Sequence, residues 1–175
     1  LAPIVDFPIS DLSLDEHFTT HDIDISSVFS DPDFDALTYS ATSSSGSVVS
    51  VSVLGTTLTI TELGLGASTI TVTANDGLTT VQDAFLVTVN NVNDAPVVVN
   101  PLADLGPNEG FIERTVNLGS VFNDPDSNPM TYSAISSNIG VVTVSVSGTT
   151  LTITEVANGV STITVTASDG TLTGE

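Results

Sequence analysis

Along most of this chain, apolar and polar residues alternate one by one. Leu58 and Ile60 interleave with Thr57, Thr59 and Thr61, while Ile70, Val72 and Ala74 share one face and threonines the other. Val49, Val51 and Val53, and Phe85, Val87 and Val89, repeat the arrangement. A period of two, with β-branched residues on one face and Ser or Thr on the other, marks half-buried antiparallel strands. It predicts strands at about 4–7, 21–25, 36–42, 47–53, 56–62, 67–74 and 82–89. Turn pairs such as Asp76-Gly77 and Asn158-Gly159 punctuate the chain, and no segment carries a helical period.

The pattern occurs twice. Val28–Asp33 (VFSDPD) falls on Val121–Asp126 (VFNDPD), an offset of 93 residues. At the same offset GTTLTITE recurs unchanged at Gly55 and Gly148, and STITVTA at Ser68 and Ser161. The register holds without a gap from Pro3 and Pro96 onward. The expected fold is therefore all-β: two tandem Greek-key β-sandwich domains, immunoglobulin-like in architecture, at 1–95 and 96–175. Asn90–Pro96 (NNVNDAP) is the linker. The counterparts of residues 81–89 begin at Gly174, one residue before Glu175, so the second domain is expected to lack its last strand. Such an edge is a liability that following residues or a donor strand would fill, and about ten added residues should make the protein more stable and more monomeric.

Charge sharpens this picture. Among 175 residues there are 21 Asp and Glu, one basic residue (Arg114) and a net charge of −20. That balance excludes nucleic acid and anionic membrane surfaces as partners, because both need Lys and Arg. No run reaches the ~20 apolar residues of a membrane span. The acids are localised: Ala36–Thr61 and Ser127–Thr154 carry none, whereas Asp11–Glu16, Asp22–Asp35 and Asp124–Asp126 are crowded.

In an antiparallel sandwich, the DPD loops, the Asp-Gly turns at Asp76 and Asp169, and the incoming linker share one pole. Carboxylates converging from three loops repel one another unless a cation lies among them. Asp carboxylates, Asn amides and backbone carbonyls are the hard oxygen ligands that Ca²⁺ takes. An EF-hand is excluded, since its glycine is missing and its twelfth position is Thr42 or Ile135. By itself DPD also reads as a solvated turn, and Asp-Gly as a hairpin turn.

Asp-Pro-Asp, Asp-Gly and Asn-Val-Asn-Asp-Ala-Pro together resemble cadherin repeats, and more specifically the bacterial dystroglycan-type cadherin-like (CADG) modules of large secreted proteins. The resemblance covers essentially the whole chain. It implies a calcium-binding joint that uses Glu16, Asn91, Asn93 and Asp94 with Asp124, Asp126 and Asp169. It implies a second, partial site at Asp31, Asp33, Asp35 and Asp76. Asn91 stands where cadherins have Asp, Ala95 where they have Asn, and Glu62 only loosely replaces the Asp-Arg-Glu motif, which implies fewer or weaker ions than three. Glu16 and Glu109 also read as simple solvated acids.

No enzyme signature accompanies these acids. His17 and His21 lack an HExxH frame, and neither a G-x-S-x-G elbow nor a phosphate loop occurs. The reading is a non-enzymatic, calcium-binding, extracellular module, secreted or cell-surface, for adhesion, homotypic association or spacing, without membrane contact of its own. The alternative is a carbohydrate-binding accessory module of a polysaccharide-degrading enzyme, with extracellular polysaccharide as partner.

Overall fold

The structure, a computed structural model, describes residues 1–106 and 110–175, which form two compact units, Leu1–Val92 and Asn93–Glu175. Glu109 lies outside the described residues. The first unit runs β1 (Ile4–Val5), β2 (Leu12–Asp15), β3 (Thr20–Asp24), β4 (Phe29–Ser30), β5 (Thr38–Ser43), β6 (Val49–Leu54), β7 (Thr57–Glu62), β8 (Gly66–Asn75) and β9 (Thr80–Asn90). Sheets β2-β9-β8-β5 and β3-β7-β6 face each other, and β1 pairs with β4 beside them. The all-β sandwich expected from the alternation is what forms.

Alternation sets the faces. Leu58, Ile60, Ile70, Val72, Ala74, Phe85, Val87 and Val89 are all buried in one core. Full burial stabilises each large side chain by roughly 1.5–3 kcal/mol, most of it offset by lost chain entropy. Tyr39 packs on this core with its ring 5.9 Å from that of Phe29, and Tyr132 repeats the contact with Phe122 at 6.0 Å. Ser68 is buried yet satisfied: its hydroxyl bonds Ser43 at 2.8 Å and accepts from the Ser45 amide at 3.0 Å.

Two short strands go beyond the sequence reading. β4 is only a bridge to β1. β2 pairs in parallel with β9, Leu12 opposite Val87 and Leu14 opposite Val89. Acids hold this edge: Asp11 accepts from the Leu86 amide and Asp83 from the Ile9 amide, each at 2.7 Å. Part of the Asp11–Glu16 acidic run is therefore structural.

The second unit contains β10 (Val97–Val98), β11 (Glu113–Asn117), β12 (Phe122–Asn123), β13 (Thr131–Ser136), β14 (Val142–Ser147), β15 (Thr150–Glu155), β16 (Ile163–Ser168) and β17 (Thr173–Gly174). Its sheets are β11-β15-β14 and β13-β16-β17, with β10 on β12. β17 places Gly174 opposite Ala167, the pairing that Val81 makes with Ala74 in the first unit. A side chain on Gly174 would collide with the Pro96 carbonyl, so the residue must be small there. Among the described residues no helix is long and apolar enough to cross a membrane.

Two leucines four residues apart test the core. Leu58 is wholly buried and Leu54 is 87% exposed. Leu58→Ala should cost about 2–5 kcal/mol in urea unfolding, and Leu54→Ala under about 0.5 kcal/mol; equal losses would contradict the assigned faces.

Candidate metal centre

Each unit carries an Asp-Pro-Asp loop directly after the short strand that pairs near its entry, β4 or β12. Proline fixes its own φ, and the residue two beyond turns left-handed: Phe34 has φ 66° and Ser127 φ 62°. The first aspartate folds the loop around itself. Oδ1 of Asp31 accepts from the amides of Asp33 (2.8 Å) and Asp35 (3.4 Å), and Oδ1 of Asp124 from those of Asp126 and Asn128 (both 3.0 Å). The Asp31 and Asp124 carbonyls accept the Phe34 and Ser127 amides at 3.0 Å.

The other oxygen has no such support. Asp31 is 7% and Asp124 4% exposed, and Oδ2 of each is buried without a hydrogen-bond partner. A buried carboxylate oxygen left unpaired is costly, and in native structures such an orphan points to a water or an ion. In the first unit, carboxylate oxygens of Asp31, Asp33 and Asp35 all lie within 4.8 Å of one another, a group able to hold a metal ion. The donor set is oxygen only, which fits a hard cation.

The second unit adds residues that enter from the linker. The Asp94 amide donates to Asp126 at 2.6 Å. Asn93 donates through Nδ2 to Asp169 at 2.7 Å and accepts through Oδ1 from Asn128 at 2.7 Å. Asn93 thus clasps the DPD loop to the Asp-Gly turn. Asn128 was not among the residues expected at the site, although its alignment with Asp35 marks it. In the first unit, the Leu1 nitrogen occupies the position equivalent to the Asp94 amide and bonds Asp33.

Asp76 and Asp169 occupy equivalent turns but differ in what they hold. Asp76 spends Oδ1 on the amides of Leu78 and Thr79 and Oδ2 on the Thr79 hydroxyl (2.8 Å). Leu172 replaces Thr79 in the second unit and offers no hydroxyl, so Oδ2 of Asp169 is left to meet Asn93. Among the described residues, Asp76 is outside the Asp31, Asp33 and Asp35 group. Glu16 accepts from the Val92 amide at 2.8 Å, where the first unit's last strand ends, and Asn91 is exposed nearby in sequence. His21 lies in β3 opposite Ile60, whereas His17 sits in the preceding turn with φ 72°.

No family model matches this chain, and no curated protein matches it. Solved structures do. Human protocadherin-24 EC1-2 is similar with a TM-score of 0.54 and 18% identity, over 97% of this chain and 89% of that one. Human desmocollin-1 ectodomain aligns at TM-score 0.41 and 14% identity, over 98% and 35%. Endo-fucoidan hydrolase MfFcnA4 from glycoside hydrolase family 107 aligns at TM-score 0.41 and 17% identity; the chain spans only 27% of its length. The protocadherin match extends over both units, and the chain has a cadherin-like, all-β fold.

Hydrogen bonds also set the acidity of the pole. The Asn93 amide, followed by the Leu172 and Thr171 amides, holds the Asp169 carboxyl below its ordinary value. The Thr79 and Leu78 amides, followed by the Thr79 hydroxyl, lower Asp76. A depressed carboxyl contributes stability that is present above the unfolded-state value and is lost as pH falls through the folded one. Asn93→Ala should therefore raise the Asp169 midpoint toward the ordinary value in a carboxyl NMR titration and leave Asp76 unmoved. An unchanged Asp169 midpoint would show that the clasp is not formed.

Proposed function

We propose that this chain is a calcium-stiffened pair of cadherin-like modules, of the dystroglycan type, from a secreted or cell-surface protein. It serves adhesion, homotypic association or spacing and performs no catalysis. The observation that carries the reading is the buried, donor-free Oδ2 of Asp31 and its repetition at Asp124. Both loops spend backbone amides on one oxygen and hold the other in place for a cation.

Asp31, Asp33 and Asp35 would hold an ion in the first unit, and Asp124, Asp126 and Asn128, with Asn93, Asp94 and Asp169, in the second. Glu16 and Asn91 join the second set, and Asp76 the first, on the resemblance to cadherins. A bound Ca²⁺ supplies the positive charge that these carboxylates lack. The linker residues Asn93 and Asp94 already contact Asp169 and Asp126. Ligation there ties the linker to the pole and converts a seven-residue swivel into part of a coordination shell. Without it, relative motion of two domains is the default.

Two measurements check this. Millimolar calcium should raise the melting temperature above the chelated value, by about 2.7 kcal/mol of stability at a hundredfold excess over Kd. Magnesium should do less, because it demands a smaller octahedral cage. Small-angle scattering should show a narrower, more extended distribution in calcium, and Asp126→Ala should abolish that change with both units still folded. Identical melting curves in calcium and chelator would remove the calcium reading, and stiffening that survives in the variant would place the ion elsewhere.

A further inference from the structure

Each sandwich has a guarded side and a bare one. Edge strands β2 and β3 carry Asp15, Asp22 and Asp24, and edge strand β11 carries Glu113. β5, β6, β13 and β14 are edge strands too, yet they hold no charge and no proline, the devices that keep sheet edges apart. The second unit adds apolar surface to its bare side. β13 and β14 flank a cleft of about 330 Å³ whose lining includes Ala134, Ile135, Ile139 and Val144. Ile135 is 68% and Ile139 72% exposed, where the first unit has Thr42 and Gly46. The fold therefore requires neither isoleucine. Backbone groups beside them are open as well. The Ser137 amide donates inward to Thr162 at 2.8 Å, so by antiparallel alternation the Ala134 and Ser136 amides face outward from β13.

We infer that β13 is the face through which two copies of this chain pair, antiparallel and about a two-fold axis at Ile135. In that register Ala134 exchanges backbone hydrogen bonds with Ser136 of the second copy. The two Ile135 side chains then meet at a non-hydrogen-bonded position, where paired strands bring side chains closest. The same patch serves on both copies, as a two-fold interface requires. Charge selects this occupant. With −20 on each copy, acid-bearing sides repel one another, and an uncharged side lets two copies approach without that cost. The inference rests on the homotypic association in the proposed function and assigns it a face. It is not a calcium-bridged contact, because β13 offers no carboxylate and pairing there does not require the ion.

The chain has no cysteine, so one introduced thiol reports the contact. Mild oxidation of Ile135→Cys should give a covalent dimer, since a disulfide forms only between close Cα atoms. Asp22→Cys, on guarded β3, should stay monomeric under the same conditions. Sedimentation velocity of the wild type should show a concentration-dependent dimer in calcium and in chelator alike, tighter as salt screens the net charge. Ile135→Thr, which installs the residue of the sister repeat, should weaken the dimer by about tenfold or more and leave the melting temperature unchanged. A monomer at every concentration, or a dimer that Ile135→Thr leaves intact, would overturn the inference. A dimer that dissociates in chelator would overturn it too, and would move homotypic contact to the metal centre. A chelator-resistant, Ile135-dependent dimer with calcium-insensitive melting would uphold the pairing and count against the calcium reading.

Discussion

One buried aspartate at the head of each unit has oxygens with opposite fates. Oδ1 of Asp31 and of Asp124 gathers two backbone amides, while Oδ2 is sealed from solvent with no donor. The loop cannot have one without the other. The amides that shape Asp-Pro-Asp-x-Asx all converge on a single oxygen, and the left-handed residue at Phe34 or Ser127 completes the turn. In the first unit the carboxylates of Asp33 and Asp35 are then brought in around an oxygen that no protein donor satisfies. A well-packed sandwich beneath, with Val28 and Phe29 or Val121 and Phe122 buried just before the loop, holds that arrangement in place.

The two poles share a backbone and differ in side chains. Asp35 becomes Asn128, so the second unit loses a carboxylate and gains an amide that Asn93 accepts. Thr79 becomes Leu172, which frees Oδ2 of Asp169 from its own turn while Oδ1 stays bound there. Phe34 and Leu78 become Ser127 and Thr171. The first two exchanges give the second pole polar contact with the linker, and the last leaves the first pole with apolar tips. One fold thus presents two surfaces with different chemistry, as expected when function resides in sites carried by a common scaffold.

Much of this was legible in the residues. Alternation over six or more positions gave the long strands and their inward faces, and every residue assigned inward on β7, β8 and β9 is buried. The repeat and the acidic motifs were plain. β2 was not, because Leu12 and Leu14 give only four residues of alternation and their partners on β9 are distant in sequence. Local period cannot reveal a parallel pairing of that span. Nor could sequence tell Asp76 from Asp169, since the difference rests on a hydroxyl three residues away. The exposure of Phe34 likewise follows from a left-handed turn that a Phe in sequence does not announce.

The central claim is that Asp31 and Asp124 keep an oxygen unpaired for calcium. Asparagine at both positions would preserve the Oδ1 acceptor and remove the buried, unpaired charge. Calorimetric calcium titration of Asp31→Asn/Asp124→Asn, paired with its unfolding in chelator, is the most direct test. The account predicts saturable calcium binding by the wild type, none by the double variant, and stability in chelator that equals or exceeds wild type, because a buried uncompensated charge has gone. Undiminished calcium binding by the double variant, or a loss of stability in chelator, would contradict it.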